Sequence, residues 1–110
     1  MVSVPMSVAA SVLFRALLAR AGVNRDRILL SEFQSTDWQS LTFTGERHVI
    51  ALRILEPDAK GALDRLTCNL QDAEFDIPGH IVADIALAHP PRRGADGSIE
   101  VELEALTIAE

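Results

Sequence analysis

The sequence contains no tyrosine, a single cysteine, a single tryptophan and few basic residues. Cys68 has no second cysteine to pair with, so an internal disulfide is excluded and a reducing compartment, the cytoplasm by default, is the simpler expectation. The 10 lysines and arginines face 16 acidic residues, which gives a net charge of −6. General nucleic-acid binding needs a basic surface, so we expect no specific nucleic-acid binding.

The motifs that usually announce an enzyme are also missing. There is no Gly-rich phosphate loop, no GxSxG and no HExxH. His48, His80 and His89 fall at the ends of predicted strands without metal-ligand spacing, and Cys68 is predicted to point away from them. We therefore expect no enzymatic activity, no metal and no cofactor.

Long apolar runs are absent as well. The first 22 residues, MVSVPMSVAASVLFRALLARAG, superficially resemble a leader peptide, but they lack a basic amino-terminal region and are interrupted by Arg15 and Arg20. The segment is also too short and too charged to cross a membrane. We interpret residues 6–21 as a first helix ended by Gly22, and we expect no membrane association.

The length and composition of the sequence are typical of a globular protein. The 110 residues are 48% hydrophobic and 24% charged, which predicts one folded domain over residues 1–110 that would gain from a partner subunit. The first helix is apolar nearly all round, so either its own sheet or a neighbouring subunit is expected to cover it.

The stretch from residue 27 to residue 54 is typical of strands. We predict a strand at 27–35, an odd-numbered loop around Thr36 to Trp38, and a second strand through residue 54 in which Leu41 and Phe43 pair near Phe33 and Ser31. The inward positions change from odd to even across Gly45, from Leu41 and Phe43 to His48, Ile50, Leu52 and Ile54. We interpret Gly45 as a β-bulge, with a short turn at 44–46 between two strands as the alternative.

The second half predicts a helix followed by two more strands. Pro57 and Asp58 suit a helix start, and one apolar stripe follows them at helical spacing: Ala59, Leu63, Leu66, Leu70 and Ala73. The opposite side of this helix, which carries Gly61 and Cys68, either faces solvent or allows another subunit to pack closely because its side chains are small. Residues 80–91 and 98–108 are strand-like, and RRGADGS between them is a turn-rich loop. We predict an α+β fold, order α-β-β-α-β-β, with two helices on one face of a four-stranded, mainly antiparallel sheet, equivalent to a permuted ferredoxin-like sandwich.

Alternation along these strands predicts which side chains face away from the helices. They mix short apolar residues with both charges: Arg47, Val49, Ala51, Arg53, Val82, Asp84, Ala86, Glu100, Glu102 and Glu104. This side is either a solvated face with cross-strand Arg–Glu pairs, or a subunit interface centred on Val49, Ala51, Val82 and Ala86. A carboxylate active site is the third and weakest interpretation. Arg92 and Arg93 form a basic loop tip.

Four segments of the sequence carry a resemblance: LFRALLARAG, STDWQSLTFTGERHVIALRI, AKGALDRLTCNLQDA and GHIVADIALAHPPRRGADGSIEVELEALT. Together they resemble the tail-terminator, or tail-completion, proteins of long-tailed phages and gene transfer agents. The resemblance begins near residue 12. It implies an α/β subunit of a ring, typically a hexamer, that caps the finished tail tube and joins it to the head connector.

The sequence therefore favours a structural assembly protein that contacts itself, tail-tube proteins and head-connector proteins. It would be cytoplasmic during assembly and afterwards part of a phage-like particle. The expected subunit or partner interface consists of Arg47, Val49, Ala51, Arg53, Val82, Arg92 and Arg93. The alternative is a small ferredoxin-like dimeric binding module or enzyme with its ligand near Trp38.

Overall fold

A computed structural model describes residues 6–110. Residues 1–5, the beginning of the segment considered as a leader, lie outside the described residues. Within residues 6–110, no helix is long and apolar enough to cross a membrane.

Helix α1, Val8–Ala21, has a defined start and end. The Ser7 hydroxyl accepts a hydrogen bond from the backbone N–H of Ala10 at 3.1 Å, which satisfies one of the unpaired donors of the first turn. Gly22 adopts the left-handed conformation, with φ at 68°, so the predicted helix end is confirmed. The helix packs on its own chain through six buried residues: Ala9, Ala10, Leu13, Phe14, Leu17 and Ala21.

Strands β1, Ile28–Gln39, and β2, Thr44–Ile54, form a long antiparallel hairpin after a 3₁₀ turn at Arg25–Arg27. The predicted loop at Thr36 to Trp38 is wrong, because β1 runs through these residues. The turn lies at residues 40–43, where the Ser40 hydroxyl accepts hydrogen bonds from the backbone N–H groups of Thr42 and Phe43. Leu41 and Phe43 are therefore exposed at the tip of the hairpin and do not pair with β1.

Gly45 is not a bulge. It pairs regularly with Trp38 on one side and Ile108 on the other. A Cβ atom at this position would lie 2.0 Å from the backbone oxygen of Thr107, so the glycine permits close approach of two strands. The predicted inward positions after it, from His48 to Ile54, are confirmed, since all four side chains are buried.

The two register shifts of the sheet lie elsewhere, near Ser31 in β1 and near Ala83 in β3. Neither place has a glycine, so composition did not reveal them. Each shift reverses which side of the sheet the following residues face.

Helix α2, Ala59–Thr67, is shorter than the apolar stripe suggested, because a separate 3₁₀ turn, Leu70–Asp72, continues it. Ala59, Ala62 and Leu66 are buried beneath it. Arginines join the two helices: Arg65 donates to the Ala21 carbonyl at 2.8 Å, and Arg20 donates to the carbonyls of Leu66 and Cys68.

The sheet is completed by β3, His80–Leu87, β4, Arg92–Arg93, and β5, Ile99–Ala109. The strand order is β1-β2-β5-β3, β4 pairs with β5 beyond β3, and all pairings are antiparallel. The α+β class, the two helices and the antiparallel sheet are confirmed. The sheet has five strands, however, because RRGADGS contributes β4 where only a loop was predicted.

The core lies between the two helices and one side of the sheet. From β5 it takes every second residue, Ile99, Val101, Leu103 and Ala105, and from β2 it takes Ile50, Leu52 and Ile54. Within residues 6–110, no helix lies on the other side of the sheet.

Candidate subunit and partner interface

The side of the sheet that faces away from the helices is called the open face below. Directly opposed residues of antiparallel strands lie on the same side of the sheet, so the strand pairings define the members of this face. They are Leu29, Glu32, Gln34, Thr36 and Trp38 of β1, Gly45, Arg47, Val49, Ala51 and Arg53 of β2, Glu100, Glu102, Glu104, Leu106 and Ile108 of β5, and Ile81, Asp84 and Ala86 of β3. The structure thus places Arg47, Val49, Ala51 and Arg53 together on one face, at successive alternate positions of one strand.

Val82 is not on this face, so that part of the predicted interface is wrong. It opposes Thr107, which is fully buried, and it packs against the core. The register shift between Val82 and Asp84 lets Asp84 and Ala86 face outward as predicted, opposite Leu106 and Glu104. The predicted apolar centre therefore keeps Val49, Ala51 and Ala86.

One end of the open face is more apolar than the sequence indicated. Trp38, Gly45, Ile108 and Ile81 form a row across all four long strands, and Leu106 lies in the next row beside Arg47. Ile81 is exposed, while Trp38, Leu106 and Ile108 are half-buried. On β5 the outward positions change from three glutamates to Leu106 and Ile108, a sequence signal that could have located this apolar end.

The expected cross-strand Arg–Glu pairs do not form among the described residues. Arg53 turns toward the loop before β5, where its guanidinium donates to the Asp96 carboxylate at 2.7 Å and to the Ser98 hydroxyl at 2.9 Å. Hydrogen bonds from Ser98, helped by the charge of Arg53, lower the pKa of the Asp96 carboxyl. Arg53 therefore holds a loop in place, whereas Arg47 remains exposed and free for a partner.

Arg92 and Arg93 lie on β4, at the edge of the open face. Arg92 opposes Glu100 on the open face, whereas Arg93 opposes the inward-facing Ile99 and therefore lies on the other side of the sheet. Both side chains are exposed, and within residues 6–110 neither makes an ion pair or a side-chain hydrogen bond. Two adjacent guanidinium groups without partners are suited to an acidic surface.

The three histidines lie in different settings. His48 is fully buried, with Ser35 Oγ 2.7 Å from Nδ1 and Thr107 Oγ1 2.9 Å from Nε2. Burial lowers the pKa of His48, and nearby His80 lowers it further, while Glu46 acts in the opposite direction. His89 lies 3.5 Å from Glu102 on the open face. Both nitrogens of His48 are occupied within the core, so its first role is structural.

The grooves of the chain are shallow. The groove near the start of α1 has a volume of about 530 Å³ and is lined by the half-buried Ser35 together with Ser7 and Glu46. A depression of about 340 Å³ lies beside Trp38 and Gly45. Among the described residues, no three His, Cys, Asp or Glu side chains are grouped to hold a metal ion. The open face is a larger surface than any of these grooves.

Comparisons with protein-family models, with curated proteins and with solved structures find no match to this chain.

Proposed function

We propose that the chain is a structural assembly subunit that works by associating with copies of itself and with other structural proteins. The observation that carries this proposal is the open face: one side of the sheet mixes apolar and charged side chains, and no helix or second sheet formed by residues 6–110 covers it. A site of this kind binds another surface rather than a small substrate.

The composition of the open face supports binding more than simple solvation. An antiparallel sheet that faces water on one side usually alternates strictly, with polar residues outward. Here Val49, Ala51 and Leu106 occupy outward positions on the two central strands, and Trp38 and Ile108 follow at one end. Aromatic, aliphatic and arginine side chains at the centre of a patch are typical of protein interfaces.

The resemblance in the sequence makes the proposal more specific. We infer a tail-terminator-like subunit whose oligomer, a hexameric ring, caps a tail tube and offers a surface to the head connector. The four long strands in the order β1-β2-β5-β3, with two helices on one side, support a permuted ferredoxin-like sandwich for this subunit. Arg47, Val49 and Ala51 are assigned to subunit or partner contacts, with Arg92 and Arg93 at the edge.

Light scattering coupled to size-exclusion chromatography tests the proposal, together with electron microscopy of the eluted species. We expect a hexamer that forms a closed ring. Cys68 is exposed, so the measurement uses Cys68→Ser to prevent adventitious cross-linking between copies. A chain that stays a monomer or a stable dimer over a wide range of concentration and salt would contradict ring formation.

A paired substitution links the oligomer to the open face. Val49→Arg adds bulk and charge at the centre of the face and should weaken assembly about tenfold or more, equivalent to roughly 1.4 kcal/mol. Val8→Arg is the matched control, because Val8 is 72% exposed on α1, away from the open face. Equal effects of the two substitutions would remove the open face from the proposal.

The second candidate function is a dimeric ligand-binding module or enzyme. The observation that favours it is the depression beside Trp38. A stable two-fold dimer would support this candidate, and tryptophan fluorescence would then report ligand binding at that position.

A further inference from the structure

The two ends of the sheet differ in charge. The end that carries the hairpin turn and the start of β3 is called the acidic end, and five carboxylates lie there beside one arginine, Arg47: Asp37, Glu46, Glu74, Asp76 and Glu110. The strand pairings place Asp37, Glu46 and Arg47. The Glu110 N–H donates to the Gly79 carbonyl, and Glu74 and Asp76 line one depression with His80 and Glu110. None of these five carboxylates forms an ion pair within residues 6–110.

The opposite end is rich in arginine. It consists of the start of β1, β4 and the end of β2, and it is called the basic end. Arg25, Arg27, Arg92 and Arg93 lie there beside Asp26, Glu56 and Glu100, while Arg53 and Asp96 neutralise each other. The basic end therefore has a small excess of positive charge, and the acidic end has a larger excess of negative charge.

Both ends also expose large apolar side chains. At the acidic end, Leu41 is fully exposed at the hairpin tip and Phe43 is 52% exposed. At the basic end, Leu29 and Leu30 are 48% and 40% exposed at the start of β1. Exposed leucine and phenylalanine in these positions add nothing to the core, and their burial requires a second surface.

We propose that a second copy of this chain docks head to tail, with the acidic end of one copy on the basic end of the next. The inference rests on the self-association in the proposed function and gives it a direction. Leu41 and Phe43 would pack near Leu29 and Leu30 of the next copy, within reach of Arg92 and Arg93. A contact between two different surfaces repeats around a ring when the rotation closes.

Charge selects this arrangement over a two-fold contact of the same ends. Two acidic ends placed together would oppose five carboxylates with five more, and like charges across an interface cost several kcal/mol. Opposite ends place carboxylates near Arg92 and Arg93, which form no ion pair within residues 6–110. The same complementarity steers the encounter of the two copies and should weaken as salt is raised.

The ends are large enough for a specific contact. The molecule measures 46 × 35 × 23 Å, and its two shorter dimensions give the smallest area that an end of the sheet can have. An end of 35 × 23 Å is about 800 Å², comparable to one side of a standard protein interface.

Two blocked variants test the inference. The tip variant, Asp37→Lys with Leu41→Ser, alters the acidic end, and the new lysine opposes Glu46, so the hairpin should still fold. The base variant, Leu29→Ser with Arg93→Glu, alters the basic end at exposed positions. Arg15→Glu, an exposed position in the middle of α1 and away from both ends, is the control and matches the base variant in charge.

Each blocked variant alone should form no head-to-tail contact, because every such contact between its copies needs the altered end. Mixed in equal amounts, the two variants should form a one-to-one dimer through the two intact ends. We expect at least about tenfold weaker self-association of each variant than of the wild type or the α1 control. Light scattering and native mass spectrometry measure these species, and circular dichroism checks folding.

The outcomes separate this inference from the proposed function. A wild type that forms rings, with a mixture that gives no one-to-one dimer, overturns head-to-tail docking and leaves the assembly proposal standing. A mixture that dimerises, with a wild type that forms open filaments, supports head-to-tail docking and contradicts the closed ring. A wild type that remains monomeric overturns head-to-tail docking outright.

Discussion

At the scale of single residues, His48 has the best-defined chemical environment. It is fully buried between two hydroxyl groups and stacks at a tilt on Phe33, with 6.1 Å between ring centroids. Thr107 lies 3.5 Å from the Glu46 carbonyl and can donate to it. That arrangement leaves Thr107 accepting from Nε2–H and Ser35 donating to Nδ1, so neutral His48 has both nitrogens satisfied.

Stability should depend on the protonation of His48. Burial lowers its folded-state pKa below the usual value of 6.5, so the unfolded chain binds more protons than the folded chain between those two pKa values. The free energy of unfolding should therefore fall as the pH drops below about 6.5, until the folded-state pKa is reached, with a slope of at most about 1.4 kcal/mol per pH unit. Urea unfolding of the wild type and His48→Gln between pH 5 and pH 7 measures this slope.

The substitution should remove the contribution of His48, so the variant should lose less stability than the wild type over this range. Protonation of Asp96 does not contribute to the slope measured between pH 5 and pH 7. Its pKa is lowered from 3.8, so the stability it contributes is present above that value and is lost only at lower pH. Identical slopes for the two proteins would show that folding does not change the proton affinity of His48.

At the scale of secondary structure elements, Gly45 in β2 and Gly61 in α2 have different structural roles. A Cβ at Gly45 would meet the Thr107 backbone in the paired strand, and a backbone atom there cannot move without disturbing the sheet. A Cβ at Gly61 would meet the Asp58 carboxylate, the far end of an exposed side chain that can rotate away. Only the first glycine is required by the fold.

Alanine substitutions distinguish these roles. Gly45→Ala should lower the free energy of unfolding by about 1–3 kcal/mol through overpacking. Gly61→Ala should be close to neutral, because a helix propensity gain of about 1 kcal/mol offsets the weakened pair between Asp58 and Arg65. Denaturant unfolding of both variants gives the comparison. A mild effect at Gly45 would mean that β2 and β5 can separate at that point without loss.

Periodicity predicted the helices and the inward positions of β2 and β5, because both depend on one buried side. It failed in the hairpin, where Leu41 and Phe43 alternate with polar residues as a strand would. The turn there is made by the Ser40 side chain and contains no glycine or proline, the residues by which turns are usually recognised.

The sequence likewise predicted only part of the candidate interface. Alternation alone placed Arg47, Val49 and Ala51 outward. Val82 was misplaced because a register shift without a glycine signal lies beside it. Arg53 was predicted to be available to a partner, but its contact with Asp96 joins residues 43 positions apart, which local patterns do not reveal.

At the scale of the whole molecule, the distribution of charge matters more than its sum. Three glutamates of β5, Glu100, Glu102 and Glu104, form a column on the open face beside β2. In a ring through which DNA passes, we propose that this column reduces retention of the polyanion. Its position on one face makes the idea testable by substitution.

The triple variant Glu100→Gln, Glu102→Gln, Glu104→Gln changes the net charge from −6 to about −3 and should increase retention of duplex DNA at low salt. Fluorescence anisotropy of labelled DNA measures it on the assembled species. The matched control, Glu56→Gln, Asp64→Asn, Asp72→Asn, makes the same charge change at exposed positions away from the open face. Unchanged DNA binding in the glutamate variant, or equal increases in both, would argue against a role for the column.

The two lateral edges of the sheet have unequal protection. The β3 edge is irregular at Ala83 and lies between Pro78 and Pro90, whereas β1 presents a regular edge from Glu32 to Gln39. An amyloid-like fibril grows by pairing of edge strands between copies of a chain. Each added copy must therefore offer a second free edge strand with which the next copy can pair. Two copies joined through β1 would present only their irregular β3 edges, so such growth would stop at a pair. Edge-to-edge growth would then be limited to pairs of copies.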